Sequence, residues 1–279
     1  MIEIFFLVIL ALTFMIFAVF VDLKYRIVPN WLNFSLIVFA LVFRFFYSLF
    51  NSDFDFFLQG FIGLGIFFVL GNALYYSRMF AGGDAKLMIA LGIVLPFSDT
   101  LFVNLQIFLM FFTLFLFSGA IYGLAWSGFL FSRNFKACKK EITKQFSKNK
   151  KLFYLTMLLG IVILFYGFNN RLFFYLGAIV FLLPSLYVFA KAVDEKCLVR
   201  KMKTKDLGEG EWLYRDLKIG NKMIKAKWEG VTKEEIKMLR KKFKEILIRE
   251  GIPFSPVFLI SFVLLVWFYF KGINLMSLI

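Results

Sequence analysis

The sequence contains no histidine, two cysteines and five prolines, and only 18 acidic residues against 33 basic ones. Without histidine there can be no Ser-His-Asp hydrolase, no His-ligated zinc hydrolase and no haem held by an axial imidazole. Cys138 and Cys197 are too few for a four-cysteine zinc site and too far apart in sequence to read as a Cys-x-x-Cys redox pair. No metal and no cofactor is therefore expected, and carboxylates, Lys, Tyr or Ser must carry any chemistry. What the chain has in excess is apolar surface. Of its 279 residues 61% are hydrophobic and 42 are Phe, against roughly 45–50% apolar residues in a soluble domain. With a mean hydropathy of +0.80, most of the chain must have lipid as its solvent.

Eight apolar runs stand out, at 4–21, 31–50, 57–76, 85–97, 101–130, 152–168, 172–190 and 254–270. They predict an all-α polytopic membrane protein of about eight transmembrane helices. The run 85–97 is short for a crossing and contains Gly92 before Pro96, while 101–130 is long enough to tilt. The first run is too long and aromatic for a cleaved signal and reads as a retained helix. Thirty of the 33 Lys and Arg residues lie in segments 22–30, 77–86, 131–151 and 191–252. By the positive-inside rule these face the cytoplasm, which puts the N-terminus outside. The net charge of +15 then reflects topology and attraction to anionic membrane lipid, with no need for nucleic acid as a partner.

The chain accordingly divides into membrane helices at 1–130, a basic cytoplasmic loop at 131–151, a further helix pair at 152–190, a small cytoplasmic soluble segment at 191–252 and a last transmembrane helix at 253–279. The soluble segment is small and highly charged for an independent domain. In it, Thr232 followed by Glu235 predicts a capping box. Ile236, Leu239, Phe243, Ile246 and Leu247 then recur on one helical face, which packs on the rest of the segment.

Eleven of the 18 acids fall in 191–252. Glu3, Asp53, Asp55 and Asp99 belong to the outer side, and Glu141 sits among the bases of 131–151. Asp22 and Asp84 remain as the only acids at the cytoplasmic ends of membrane helices, so the topology brings them into one layer. An ordinary structural role would pair Asp22 with Lys24 or Arg26, and Asp84 with Lys86 or with a helix N-terminus. The local sequence suggests more. Gly82 and Gly83 precede Asp84, and a glycine pair allows a sharp turn or the close approach of another backbone. After Asp22 come Pro29 at a helix entry and Asn30 and Asn33 as polar turn and capping groups. Two carboxylates in a dehydrated layer cannot both ionise easily, so they share a proton. Such a pair activates a water against a peptide carbonyl and protonates the leaving nitrogen.

The stretches "DLKYRIVPN" (22–30) and "AGGDAKL" (81–87) resemble the type IV prepilin peptidases, above all the archaeal prepilin and preflagellin peptidases, which are membrane aspartyl proteases of the GxGD group. One departure is visible: Ala81 stands where the motif has its first glycine. The stretches "WEGVTKEEIKMLRK" and "EGIPFSPVFLI" are similar to the archaeal segment that leads into the last helix. The resemblance implies Asp22 and Asp84 as the catalytic pair, with Gly82, Gly83, Lys86, Lys24, Pro29 and Asn30 supporting it. It implies pilin-like or archaellin precursor proteins as substrates, cut on the cytoplasmic side of the cell membrane to release a short basic leader. The four-cysteine segment of the bacterial relatives is missing, so peptidase activity without N-methylation is expected. Asp206, Glu209 and Glu211 are possible contacts for a basic leader.

The total length and the helix pair at 152–190 favour a pilin-type substrate over archaellin. Other classes fit less well. A transporter would place ionisable groups or broken helices near mid-membrane, where Arg44 is the main exception here. A pilus-assembly scaffold would not need the two aspartates. Intramembrane proteases of the presenilin kind carry Tyr-Asp in the first motif, whereas Val21 precedes Asp22 here.

Overall fold

The computed structural model describes residues 2–220 and 222–272. The chain forms two compact units, one comprising Met1–Gly123 and Ile252–Ile279, the other Leu124–Gly251. In the first unit the helices are α1 (Ile2–Tyr25), α2 (Asn30–Asn51), α3 (Phe54–Tyr76), α4 (Gly82–Gly92), the first part of α5 (Leu101–Arg133), and α10 (Ser255–Phe270). Each apolar run noted in the sequence contains a helix, and six helices among the described residues are long and apolar enough to cross a membrane. The protein is thus a predominantly helical, multi-pass membrane protein. At a rise of about 1.5 Å per residue, α10, with 16 residues, is just short of that length.

The helix α4 differs from its neighbours. Its 11 residues cover only about half a bilayer core, and the helix stops at Gly92, before the end of the run 85–97 that the sequence marks as a span. It is apolar on all sides because protein surrounds it: Leu87, Met88 and Leu91 are completely buried, as are Ile93, Val94 and Leu95 beyond its end. Against α3 the two backbones touch. A Cβ on Gly63 would lie 2.3 Å from the Gly92 carbonyl oxygen, and one on Gly92 would lie 2.6 Å from that of Gly63. Small residues permit this close helix packing where lipid supplies no hydrophobic drive.

Ending α4 early leaves backbone carbonyls without helical partners in an apolar interior, where each unsatisfied group is costly. Arg44, fully buried on α2, satisfies them. Its Nε donates to the Ile93 carbonyl at 2.8 Å, and Nη2 donates to those of Pro96 at 2.5 Å and Val94 at 3.3 Å. Nη1 donates to the Phe56 carbonyl at 2.7 Å, and the guanidinium lies 4.3 Å from the Phe56 ring centroid. The one ionisable group that stood out in the span interiors is thus a structural clasp for the chain leaving α4.

The second unit holds the rest of α5, α6 (Phe135–Lys148), α7 (Lys150–Tyr166), α8 (Arg171–Cys197), five strands and α9 (Lys233–Lys242). A single 3-10 turn, Gly167–Asn169, folds α7 back on α8. Their outward faces are apolar, with Leu158, Val162, Ile179 and Leu186 all exposed, as expected of lipid-facing surfaces. The segment 131–151, read from sequence as a loop, is mostly helix. It is held to α8 by Glu141, which is 4% exposed and pairs with Lys196 at 3.2 Å.

Cysteines 59 residues apart also meet here, with Cys138 Sγ and Cys197 Sγ separated by 3.3 Å. Burial, reinforced by the neighbouring sulphur, pushes the Cys138 thiol above its ordinary pKa. Only a thiolate alkylates readily. Iodoacetamide at pH 8 should therefore label Cys138 at least about tenfold more slowly than a free peptide thiol, as read by mass spectrometry of the native protein. Equal rates would show that α6 does not stay packed.

The chain after α8 has its own small core. Strands β1 (Val199–Lys203), β5 (Glu245–Arg249) and β2 (Trp212–Leu213) form an antiparallel sheet in the order β1-β5-β2, and β3 (Leu217–Ile219) pairs with β4 (Lys222–Ile224). The register sets Leu213 opposite Ile248. Ile246 and Ile248 pack with Ile236 and Leu239 of α9. The capping box is present, with Thr232 and Glu235 satisfying one another's backbone N–H groups. The helix is shorter than the sequence pattern suggests. Ile246 and Leu247 fit a helical face, but Glu-Ile-Leu-Ile-Arg also alternates with period two, and the strand buries Ile246 and Ile248.

Candidate active site

Asp22 lies one turn before the end of α1 and is 6% exposed. The helix closes just after it: Arg26 has a φ of 60° and donates its N–H to the Asp22 carbonyl at 2.8 Å. Pro29, with its φ of −63°, then sets the entry to α2. The Asp22 carboxylate is clamped from far along the chain. Its Oδ2 accepts the Ser255 backbone N–H at 3.1 Å and the Ser255 hydroxyl at 2.8 Å. Ser255 opens α10, where the first N–H groups of a helix have no intrahelical partner and favour negative charge.

Asp84 is the third residue of α4, in the place where an acidic side chain reaches back to the helix cap. Its carboxylate accepts the backbone N–H of Ala81 and is close enough to Asp22 for the two charges to interact. Gly83 explains how the two motifs come together. A Cβ there would lie 3.1 Å from the Cβ of Val28, a buried residue of the turn between α1 and α2. The absent side chain lets that turn rest against the start of α4. At Gly82 only the Tyr75 ring is near, 3.8 Å from a built Cβ, so the close approach concerns Gly83 alone.

Lys86 and Lys24 do not play the pairing roles that sequence proximity suggests. Lys86 Nζ donates to Asn30 Oδ1 at 2.7 Å, tying α4 to the first turn of α2. Lys24 is exposed, with its ammonium 5.0 Å from the Tyr25 ring centroid. Asp22, Asp84, Gly83, Lys86, Pro29 and Asn30 thus gather around one turn and one helix start, while Lys24 points away. In the second unit, Glu209 pairs with Lys233 at 3.5 Å. Glu211 is pushed up from the ordinary carboxylate range by burial and by the charge of Glu250.

Ser255 has no assigned role in the sequence reading, because nothing local links it to a carboxylate 233 residues away. The available signal was Ser-Pro at a helix start, a place with unpartnered donors. Ser255→Ala removes one charge-assisted hydrogen bond from a buried carboxylate and is expected to cost about 1.5–3 kcal/mol. Thermal unfolding in detergent measures it, with Ser255→Thr as the variant that keeps the hydroxyl.

Residues 9–132 match the type IV leader peptidase family. That stretch includes both aspartates and Gly82–Gly83, whereas Ser255 lies outside it. No curated protein and no solved structure matches the chain. The similarity marks this part of the molecule as type IV leader peptidase-like.

Proposed function

We propose that this type IV leader peptidase-like protein is an aspartic endopeptidase that removes the short basic leader from type IV pilin-like precursors, using Asp22 and Asp84 as a dyad on the cytoplasmic side of the membrane. The observation that carries the reading is the packing of the turn after α1 against the start of α4, at Val28 and Gly83, which brings the charges of Asp22 and Asp84 within reach of one another. Neighbouring carboxylates share one proton and titrate as a unit. The ionised member takes a proton from water as its oxygen bonds to the scissile carbonyl carbon, while the protonated member hydrogen-bonds to the carbonyl oxygen. In the resulting tetrahedral intermediate the nitrogen receives a proton from the dyad. The C–N bond then breaks, giving a carboxylic acid and a new amino terminus, and the pair returns to its singly protonated state. Ser255 is a positioning residue that fixes the orientation of Asp22.

The cytoplasmic assignment rests on the basic segments that flank both aspartates. The purified protein in liposomes, mixed with tagged pilin-like and archaellin precursors, tests the reading. A shortened product with its new N-terminus just before the apolar helix of the precursor is expected, formed faster from the pilin-like substrate. Faster cutting of archaellin moves the substrate assignment to that class. Failure to shorten either precursor, with the protein folded, overturns the peptidase reading.

A further inference from the structure

A cavity of about 510 Å³ lies between α2, α3 and α4, beside the turn that carries Asp84. Its wall is mainly apolar, including Ile37 and Ile89; Tyr75 and Tyr76 also line it, and its amide and charged groups come from Asn33, Asn72 and Lys86. Two of these last three have partners. Asn72 Nδ2 donates to the Phe68 carbonyl at 2.8 Å, and Lys86 Nζ donates to Asn30 Oδ1 at 2.7 Å. Asn33 is different: it is 1% exposed, and neither Oδ1 nor Nδ2 has a hydrogen-bond partner among the described residues. Nearly every buried polar atom in a folded protein is paired, and a buried amide with both donor and acceptor unmet calls for an explanation.

Resting on the peptidase reading, we infer that this cavity binds the extended precursor chain next to the scissile bond, with the Asn33 amide pairing one of its peptide groups. A primary amide offers one acceptor and two donors, so it can take a peptide N–H and give to a peptide C=O together. Gly82, which carries no side chain and lines the same cavity, leaves room for a backbone to reach the level of Asp84. The charge selects which side of the scissile bond enters. Lys86 repels a basic leader, whereas the apolar walls accept side chains from the start of the hydrophobic helix of the precursor. Lipid tails would fill the same walls but would leave Asn33 unpaired.

The test is Asn33→Leu in the full-length protein in liposomes, with a synthetic peptide carrying a basic leader and the first part of an apolar helix as probe. Binding is measured in the Asp84→Asn background, and cleavage in the otherwise wild-type protein. Loss of the paired amide should weaken Kd and raise KM by about tenfold with kcat changed less than about twofold. The melting temperature should stay level or rise, because an unmet buried amide has gone. Unchanged Kd and KM overturn the proposal, as does a lowered melting temperature with unchanged Kd, which would mark Asn33 as structural. Native mass spectrometry that finds a phospholipid lost from Asn33→Leu, with peptide affinity intact, also overturns it. If the peptide binds through Asn33 but wild type never cleaves it, the peptidase reading fails while the binding site stands.

Discussion

Asp84→Asn should eliminate precursor cleavage, lowering kcat by at least about 1,000-fold, while changing folding stability by no more than about 1 kcal/mol. The amide keeps the shape of the carboxyl and an oxygen that can accept the Ala81 N–H, so the start of α4 persists. It leaves the pair with the single negative charge of the proton-sharing state, now carried by Asp22 alone. What it cannot do is share a proton with Asp22 or deliver one to the leaving nitrogen. Asp22→Asn should lose cleavage to the same extent but at a larger cost in stability. The two donors of Ser255, at 3.1 and 2.8 Å, would then meet a neutral amide oxygen in place of a carboxylate. About 1–2 kcal/mol is expected for that exchange. Rates in liposomes together with thermal unfolding separate the two effects. Residual cleavage above a few per cent in either variant would remove that aspartate from the chemistry.

Arg44→Met carries the largest expected effect on folding. The four carbonyls that Arg44 serves, from Phe56, Ile93, Val94 and Pro96, lie in a region where water does not reach the side chain. Methionine fills part of the volume but donates nothing. The loss should be about 3–5 kcal/mol, because buried carbonyls left without a donor cost about 1–3 kcal/mol each and not all can find another. Arg44→Lys should recover only part of it, since one ammonium cannot spread its donors over carbonyls on both sides of a planar fork. Detergent thermal melts read the loss directly, and a change below about 1 kcal/mol for Met would contradict the clasp. Because the clasp holds the chain leaving α4, cleavage by Arg44→Lys should fall more than its stability alone explains.

The sequence shows the membrane helices because their apolar runs are long, and it shows Asp22 and Asp84 because few other acids sit at span ends. It shows Thr232 and Glu235 because a capping box is local. It conceals the end of α4. Apart from Lys86, residues 85–97 are apolar, and hydropathy cannot distinguish a helix from buried irregular backbone, which here depends on a guanidinium 49 residues earlier in the chain. It also conceals the strands that follow α8, where Glu245–Arg249 satisfies both periods and the pairing with Val199–Lys203 decides. Ser255 and the Cys138–Cys197 contact were invisible for a third reason: each joins distant segments, and one sequence carries no record of such meetings. The turn at Gly83 lies between these cases. Its glycine pair announced a close approach, but only the packing shows that the approaching chain is Val28 of the same molecule.

The most direct test of the dyad is a double-substitution cycle: single-turnover cleavage of one precursor by wild type, Asp22→Asn, Asp84→Asn and the protein carrying both changes. If the two carboxylates form one proton-sharing unit, either single change removes nearly all activity and the double change is little worse than each. Losses that multiply, or a single variant that still cleaves at more than a few per cent of the wild-type rate, would contradict it.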